Sequence, residues 1–172
     1  MFQALVRPAV PADAEVILRL VDALADYEHL ARPDAEAKQR LIREMFGERR
    51  RIEAFLAAYE GEAVGYAFVF ETYSSFLALP TLYLEDLFVL PEYRGKKVGY
   101  ALFTAMVQEA YRRGCGRMEW AALDWNHLAI DFYQRLGATH MKEWQLYRLL
   151  RSDMEKLLSR HSSSMDTTRS EL

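Results

Sequence analysis

The sequence predicts one domain of mixed α/β class. Runs rich in β-formers alternate with segments of helical periodicity along most of the chain. The apolar run "LYLEDLFVL" (82–90) feeds a glycine-containing loop that opens a helical segment, the local order of an α/β unit. The 172 residues, 51% of them hydrophobic, suit a single core, and no repeat or linker composition interrupts them.

Each element follows from its residues. "FQALVRPA" (2–9) reads as a first strand. Pro11 stands where a first helical turn tolerates proline, and Val16, Ile17, Leu20, Val21 and Leu24 recur at helical spacing. Pro33 closes the next loop. Asp34 is placed to cap a second helix that carries Leu41, Ile42 and Met45 and stops near Gly47. "IEAFLAAYEGEAVGYAFVFETY" (52–73) reads as two strands around the turn Glu60-Gly61-Glu62. "LYLEDLFVL", apolar nearly throughout, is expected to be a central strand. Helix is expected from Ala101 to Arg113, a strand at "RMEWAALDW" (117–125) and a short helix at "NHLAIDFYQRLGA" (126–138) with Gly137 at its C-terminal end. A last strand is expected at "EWQLYRLL" (143–150), and the domain is expected to close at residue 158. The polar tail 159–172 is expected to be disordered.

Bulk properties narrow the function. The formal net charge of −3 lacks the basic excess of a nucleic-acid binder. No apolar run approaches the roughly 20 residues of a membrane span, and "MFQALVRPAVPAD" has no secretory pattern. Cys115 is the single cysteine, so no internal disulfide forms, and no Cys/His cluster suggests a metal. A cytoplasmic protein without nucleic-acid, membrane or metal partners is expected. Arg49-Arg50-Arg51 reads as a solvated loop, Cys115 between two glycines as a passive thiol, and His127 as a surface helix-start residue.

The loop Arg94-Gly95-Lys96-Lys97-Val98-Gly99 carries the clearest chemical signal. The first N–H groups of a helix have no intrahelical partner and the helix dipole makes that end positive, so a strand–loop–helix junction attracts anions. Glycine permits close approach, and the cations suit phosphate. Neither G-x-x-x-x-G-K-[ST] nor G-x-G-x-x-G is present. From the loop alone, a phosphate cradle and a solvated basic turn stand level.

Together, "YLEDLFVLPEYRGKKVG", the later "WNHLAIDFYQRLGA" and the early "ADYE" (25–28) resemble the GCN5-related N-acetyltransferase (GNAT) superfamily, and within it the spermidine/spermine (diamine) N-acetyltransferases. The resemblance runs from about Leu5 to Leu150. It implies a twisted mixed sheet of six to seven strands with helices on both faces, whose central parallel strands splay to admit acetyl-CoA as co-substrate. The family's loop reads R/Q-x-x-G-x-G/A, so Arg94 and Gly99 match while Lys97 replaces a glycine. Lys97 is expected to keep a negative φ with its amide toward the cofactor. A positive φ would cost about 1 kcal/mol or more. The cofactor contacts implied are Leu87, Phe88, Val89, Arg94, Gly95, Lys96, Lys97, Val98, Gly99, Tyr100, Asn126 and Ala129.

Acetyl transfer to an amine needs a proton acceptor, a stabilised oxyanion and an acid for the leaving thiolate, because a lysine-like amine of pKa ~10.4 is protonated at neutral pH. By resemblance, Tyr133 is the acid and Glu85 the base, acting through water. A bulge in the central strand would free backbone groups for the oxyanion and the cofactor arm. On a regular strand Glu85 and Asp86 point to opposite faces. Asp86 reads as a buried structural acid paired with an arginine or a helix start.

Substrate-binding residues implied are Tyr27, Glu28, Glu85 and Glu143, with Trp144 beside the last; acids attract a polycation and aromatic rings hold its methylenes. The acceptor expected is a polyamine, diamine or similar small amine. A lysine-like amino acid, a protein amine, or a CoA-binding sensor without turnover are the alternatives. A homodimer is expected from the resemblance.

Overall fold

β1 (Leu5–Pro8) opens the chain. The computed structural model describes residues 4–169, with side chains to residue 160, so Phe2 and Gln3 of the expected first strand lie outside the described residues. A short 3₁₀ turn at Pro11–Asp13 leads into α1 (Ala14–Tyr27), with proline in the first-turn position. α1 ends without a glycine. His29 takes φ 57°, and the Leu30 and His29 N–H groups donate to the carbonyls of Ala25 (2.8 Å) and Asp26 (3.2 Å), closing the helix in a left-handed turn. Asp34 caps α2 (Ala35–Phe46), its carboxylate accepting from the Ala37 N–H at 2.7 Å.

β2 (Glu53–Tyr59) and β3 (Glu62–Ser74) form the expected hairpin, its turn made by left-handed Glu60 and Gly61. β4 (Leu79–Val89) follows, then α3 (Val98–Arg112) and β5 (Arg117–Glu119). Among the described residues the sheet has five strands in the order β1-β2-β3-β4-β5; β4 and β5 are parallel and the other pairs antiparallel. It is mixed and helix-flanked as expected, but smaller than six to seven strands. Only Arg117–Glu119 of "RMEWAALDW" pairs, and "EWQLYRLL" forms no strand among the described residues. β-forming composition makes a strand only where a neighbour supplies the ladder, and these segments have none here.

α1 and α2 cover one face of the sheet. Ile17, Leu20 and Met45 pack on Ala54, Leu56, Tyr66, Phe68 and Phe88. α3 covers the other, where a Cβ on Gly65 would meet Leu102 Cδ1 at 3.2 Å and the Phe88 carbonyl oxygen at 2.7 Å. Only glycine lets β3 and β4 approach that closely.

The chain divides into two compact units, Met1–Ala122 and Leu123–Leu172. The second contains α4 (His127–Arg135) and α5 (Arg151–Arg169). The backbone of α5 is helical through Arg169, into the segment where the polar tail 159–172 is expected. No glycine or proline follows Gly137, so the sequence has no strong helix breaker there.

Candidate active site

β4 is not a regular strand. Val69 pairs with Leu84 and Phe68 with Asp86, so Glu85 is an extra residue, a β-bulge. The bulge replaces the simple alternation expected for Glu85 and Asp86. It places Leu84 opposite Val69, whereas Asp86 and Phe88 stand opposite Phe68 and Tyr66, on the α1 face. Glu85 itself is exposed.

Asp86 is held by neither an arginine nor a helix start. The fully buried Tyr66 donates its hydroxyl to Asp86 Oδ2 at 3.0 Å. Burial pushes the Asp86 carboxyl up to about 6; the Tyr66 hydrogen bond pulls it down, and the charges of Glu85 and Glu28 push it up further. Burial also raises the Tyr66 phenol, with Asp86, Glu28 and Glu85 adding to the effect. Glu28, at the end of α1, is raised by its own burial. Three carboxylates from two elements therefore act on one phenol. Sequence reading singled out all three but missed Tyr66. The signal was the period-2 pattern of "GYAFVF", which puts Tyr66 on the face of Phe68.

Nine residues after Glu85 the charge reverses. Leu90 anchors the end of β4 by donating its N–H to the Val64 carbonyl (2.9 Å), and a 3₁₀ turn at Pro91–Tyr93 delivers Arg94. Gly95 has φ 77°. Lys97, the N-cap of α3, has φ 64° and ψ 10°. This overturns the expected negative φ. The chain reverses so sharply into α3 that the position is left-handed, which is why glycine suits it. Lys97 makes no side-chain cap, so the first N–H groups of α3 are not met from that side chain.

The Arg94 guanidinium lies 4.2 Å over the Tyr27 ring, and its Nε donates to the Val89 carbonyl at 3.2 Å. Lys96 rests over the rings of Tyr93 (4.7 Å) and Tyr59 (5.1 Å). A Cβ on Gly99 would meet only Val89 Cγ2, at 3.8 Å, so there is room beside Gly99 in the first turn of α3. Val98 is buried and pins the helix, and Tyr100 is exposed.

β5 pairs with β4 only at Thr81, Leu82 and Tyr83. From Leu84 to Val89 the edge of β4 away from β3 has no strand partner among the described residues. Leu87, Phe88 and Val89 thus combine a free edge, the bulge before them and the start of α3 after them. An extended polar arm ending in phosphates fits this arrangement.

In the second unit, Asn126 caps α4, its side-chain oxygen accepting from the Ala129 N–H at 3.2 Å. Tyr133 sits in the last turn of α4. Its carbonyl accepts the Ala138 N–H, Gly137 takes φ 84°, and its ring stands edge-on to Phe132 at 5.3 Å. Glu143 lies in a turn. Among the described residues no group of His, Cys, Asp and Glu is placed to hold a metal, and no helix is long and apolar enough to cross a membrane.

Residues 17–138 match the model of the acetyltransferase (GNAT) family. The chain is 33% identical to the thialysine N-epsilon-acetyltransferase of Sus scrofa, over 91% of this chain and 98% of that protein. It is 46% identical to the L-ornithine N5-acetyltransferase NATA1 of Arabidopsis thaliana over 85 residues, 49% of this chain and 37% of that protein. A solved aminoglycoside N-acetyltransferase in complex with CoA shares the fold, with a TM-score of 0.71, 23% identity, and cover of 87% of this chain and 96% of that one. Bulged β4, the glycine loop and the family match agree: the chain belongs to the GNAT acetyltransferase family and is an N-acetyltransferase.

Proposed function

We propose that the protein acetylates the primary amine at the end of a small aliphatic molecule, a diamine, polyamine or amino acid with such a side chain. The convergence of Glu28, Glu85 and Asp86 on Tyr66 carries this reading, because a flexible cation is drawn to clustered carboxylates. The relatives named for thialysine and ornithine act on amines of this kind and support the shorter members of the class.

GNAT enzymes use acetyl-CoA, which supplies the acetyl group as a thioester. On this reading the backbone of Leu87, Phe88 and Val89 holds its arm. The loop from Arg94 to Tyr100 holds its phosphates, and Asn126 and Ala129 contribute from α4. The amine attacks directly, without an acyl-enzyme. Its proton passes to the carboxylates at the bulge; the resemblance favours Glu85, and the elevated Asp86 favours Asp86. Tyr133 donates a proton to the departing sulfur. Tyr27, Glu28 and Glu143 line the amine side. Residues 1–158 are read as one domain, since the family match crosses the boundary between the two units. A homodimer belongs to the same reading.

A panel of putrescine, spermidine, ornithine and thialysine, with CoA release followed, tests the proposal. Turnover of at least one is expected. Acetyl-CoA binding with no release for any of them would refute it. It would instead favour a catalytically weak CoA-binding sensor, the reading that Lys97 in the family's glycine position supports.

A further inference from the structure

The resemblance gives Tyr27 to the amine and Arg94 to the cofactor, yet the two side chains are stacked on each other. The guanidinium carbon of Arg94 lies 4.2 Å from the centre of the Tyr27 ring and 5.9 Å from that of Phe88. The Tyr27 and Phe88 rings are themselves 6.3 Å apart, so the cation sits against an aromatic corner. Its Nε is committed to the Val89 carbonyl. Both Tyr27 and Arg94 are half-buried, which strengthens a cation–π contact relative to one in open water. The backbone on either side is set by strong local features. Tyr27 is the last residue of α1, fixed by the left-handed turn at His29, and Arg94 follows directly on the 3₁₀ turn.

We infer that Tyr27 is a positioning residue for the cofactor: its ring seats Arg94, and Arg94 in turn holds the loop 94–99 against the end of β4. All five N–H donors of the guanidinium lie in one planar fork, so fixing the plane on Tyr27 and the Nε on Val89 fixes the direction of the remaining N–H groups. The same contact joins the end of α1, which carries Glu28, to the loop that opens α3. The amine side and the cofactor side are thus linked through one pair of side chains. This inference rests on the family's use of acetyl-CoA and not on the identity of the amine.

Equilibrium binding of CoA, measured by calorimetry without any amine, separates this role from amine binding. Tyr27→Leu is expected to raise the CoA Kd about threefold to tenfold, and Tyr27→Phe, which keeps the ring, to leave it within about twofold. Tyr27→Met removes the ring by a second route if the leucine variant unfolds. Arg94→Gln should weaken CoA binding as well, and in that background Tyr27→Leu should have no further effect. The inference is overturned if ring removal leaves the CoA Kd unchanged and raises only the amine KM. It is equally overturned if Tyr27→Phe weakens CoA as much as Tyr27→Leu, or if the Tyr27 and Arg94 effects simply add. These readings hold whether or not any amine in the panel is turned over.

Discussion

Two regions of opposite charge lie within ten residues of each other along the chain, and they are built on different principles. At the bulge of β4, charge is set by burial: Asp86 is pushed up to about 6 on an apolar face, held by one phenol and facing two more carboxylates. In the loop 94–99 the charged side chains are mostly engaged elsewhere. Arg94 lies on Tyr27, and Lys96 on Tyr59 and Tyr93. What the loop offers an anion is backbone, shaped by left-handed Gly95 and Lys97. The lesson is that the acidic region depends on side-chain chemistry and the basic region on backbone conformation. Substitutions should therefore fail in different ways in the two places.

The largest effect is expected at the acids. Asp86→Asn should lower kcat/KM for the amine about 100-fold with CoA affinity nearly unchanged, as steady-state kinetics and calorimetry would show. Its opposite number in the loop is Gly95→Ala. A side chain at φ 77° should cost about 1–2 kcal/mol of stability and weaken CoA binding while leaving the acid limb of the pH profile in place. Lys97→Gly should do the reverse. Relief of the left-handed lysine, less the greater freedom of glycine when unfolded, should stabilise the protein by about 0.5–1 kcal/mol in urea unfolding.

The last effect is on stability against pH. The folded pKa of Asp86 lies above its unfolded value, so the folded state binds the proton more tightly. Stability is then greatest at low pH and falls as pH rises from about 4 to about 6, by up to about 3 kcal/mol. Urea titrations at several pH values should show this fall in the wild type and its absence in Asp86→Asn.

Much of this was legible in the sequence, though not evenly. Asp34 and Gly137 announced their helix ends, because caps are local chemistry read within four residues. The strand that carries the acids was legible from its composition. Its bulge was not legible from local pattern, because a bulge is a property of the pairing between Phe68 and Asp86. The same reasoning accounts for the missing strand at 143–150, where propensity exceeded the partners available. Lys97 shows a third limit. A left-handed backbone at a lysine runs against residue preference, and it is imposed by the turn from Tyr93 into α3.

The most direct test of the acidic region is the pH dependence of kcat/KM for the amine, measured in the wild type, Asp86→Asn and Tyr66→Phe. The rate should fall as pH drops through about 6, because the acceptor must be ionised to take a proton. Tyr66→Phe should move that limb to higher pH, since the lost hydrogen bond had favoured the carboxylate, and Asp86→Asn should abolish it. A limb that persists unmoved in both variants would contradict the account.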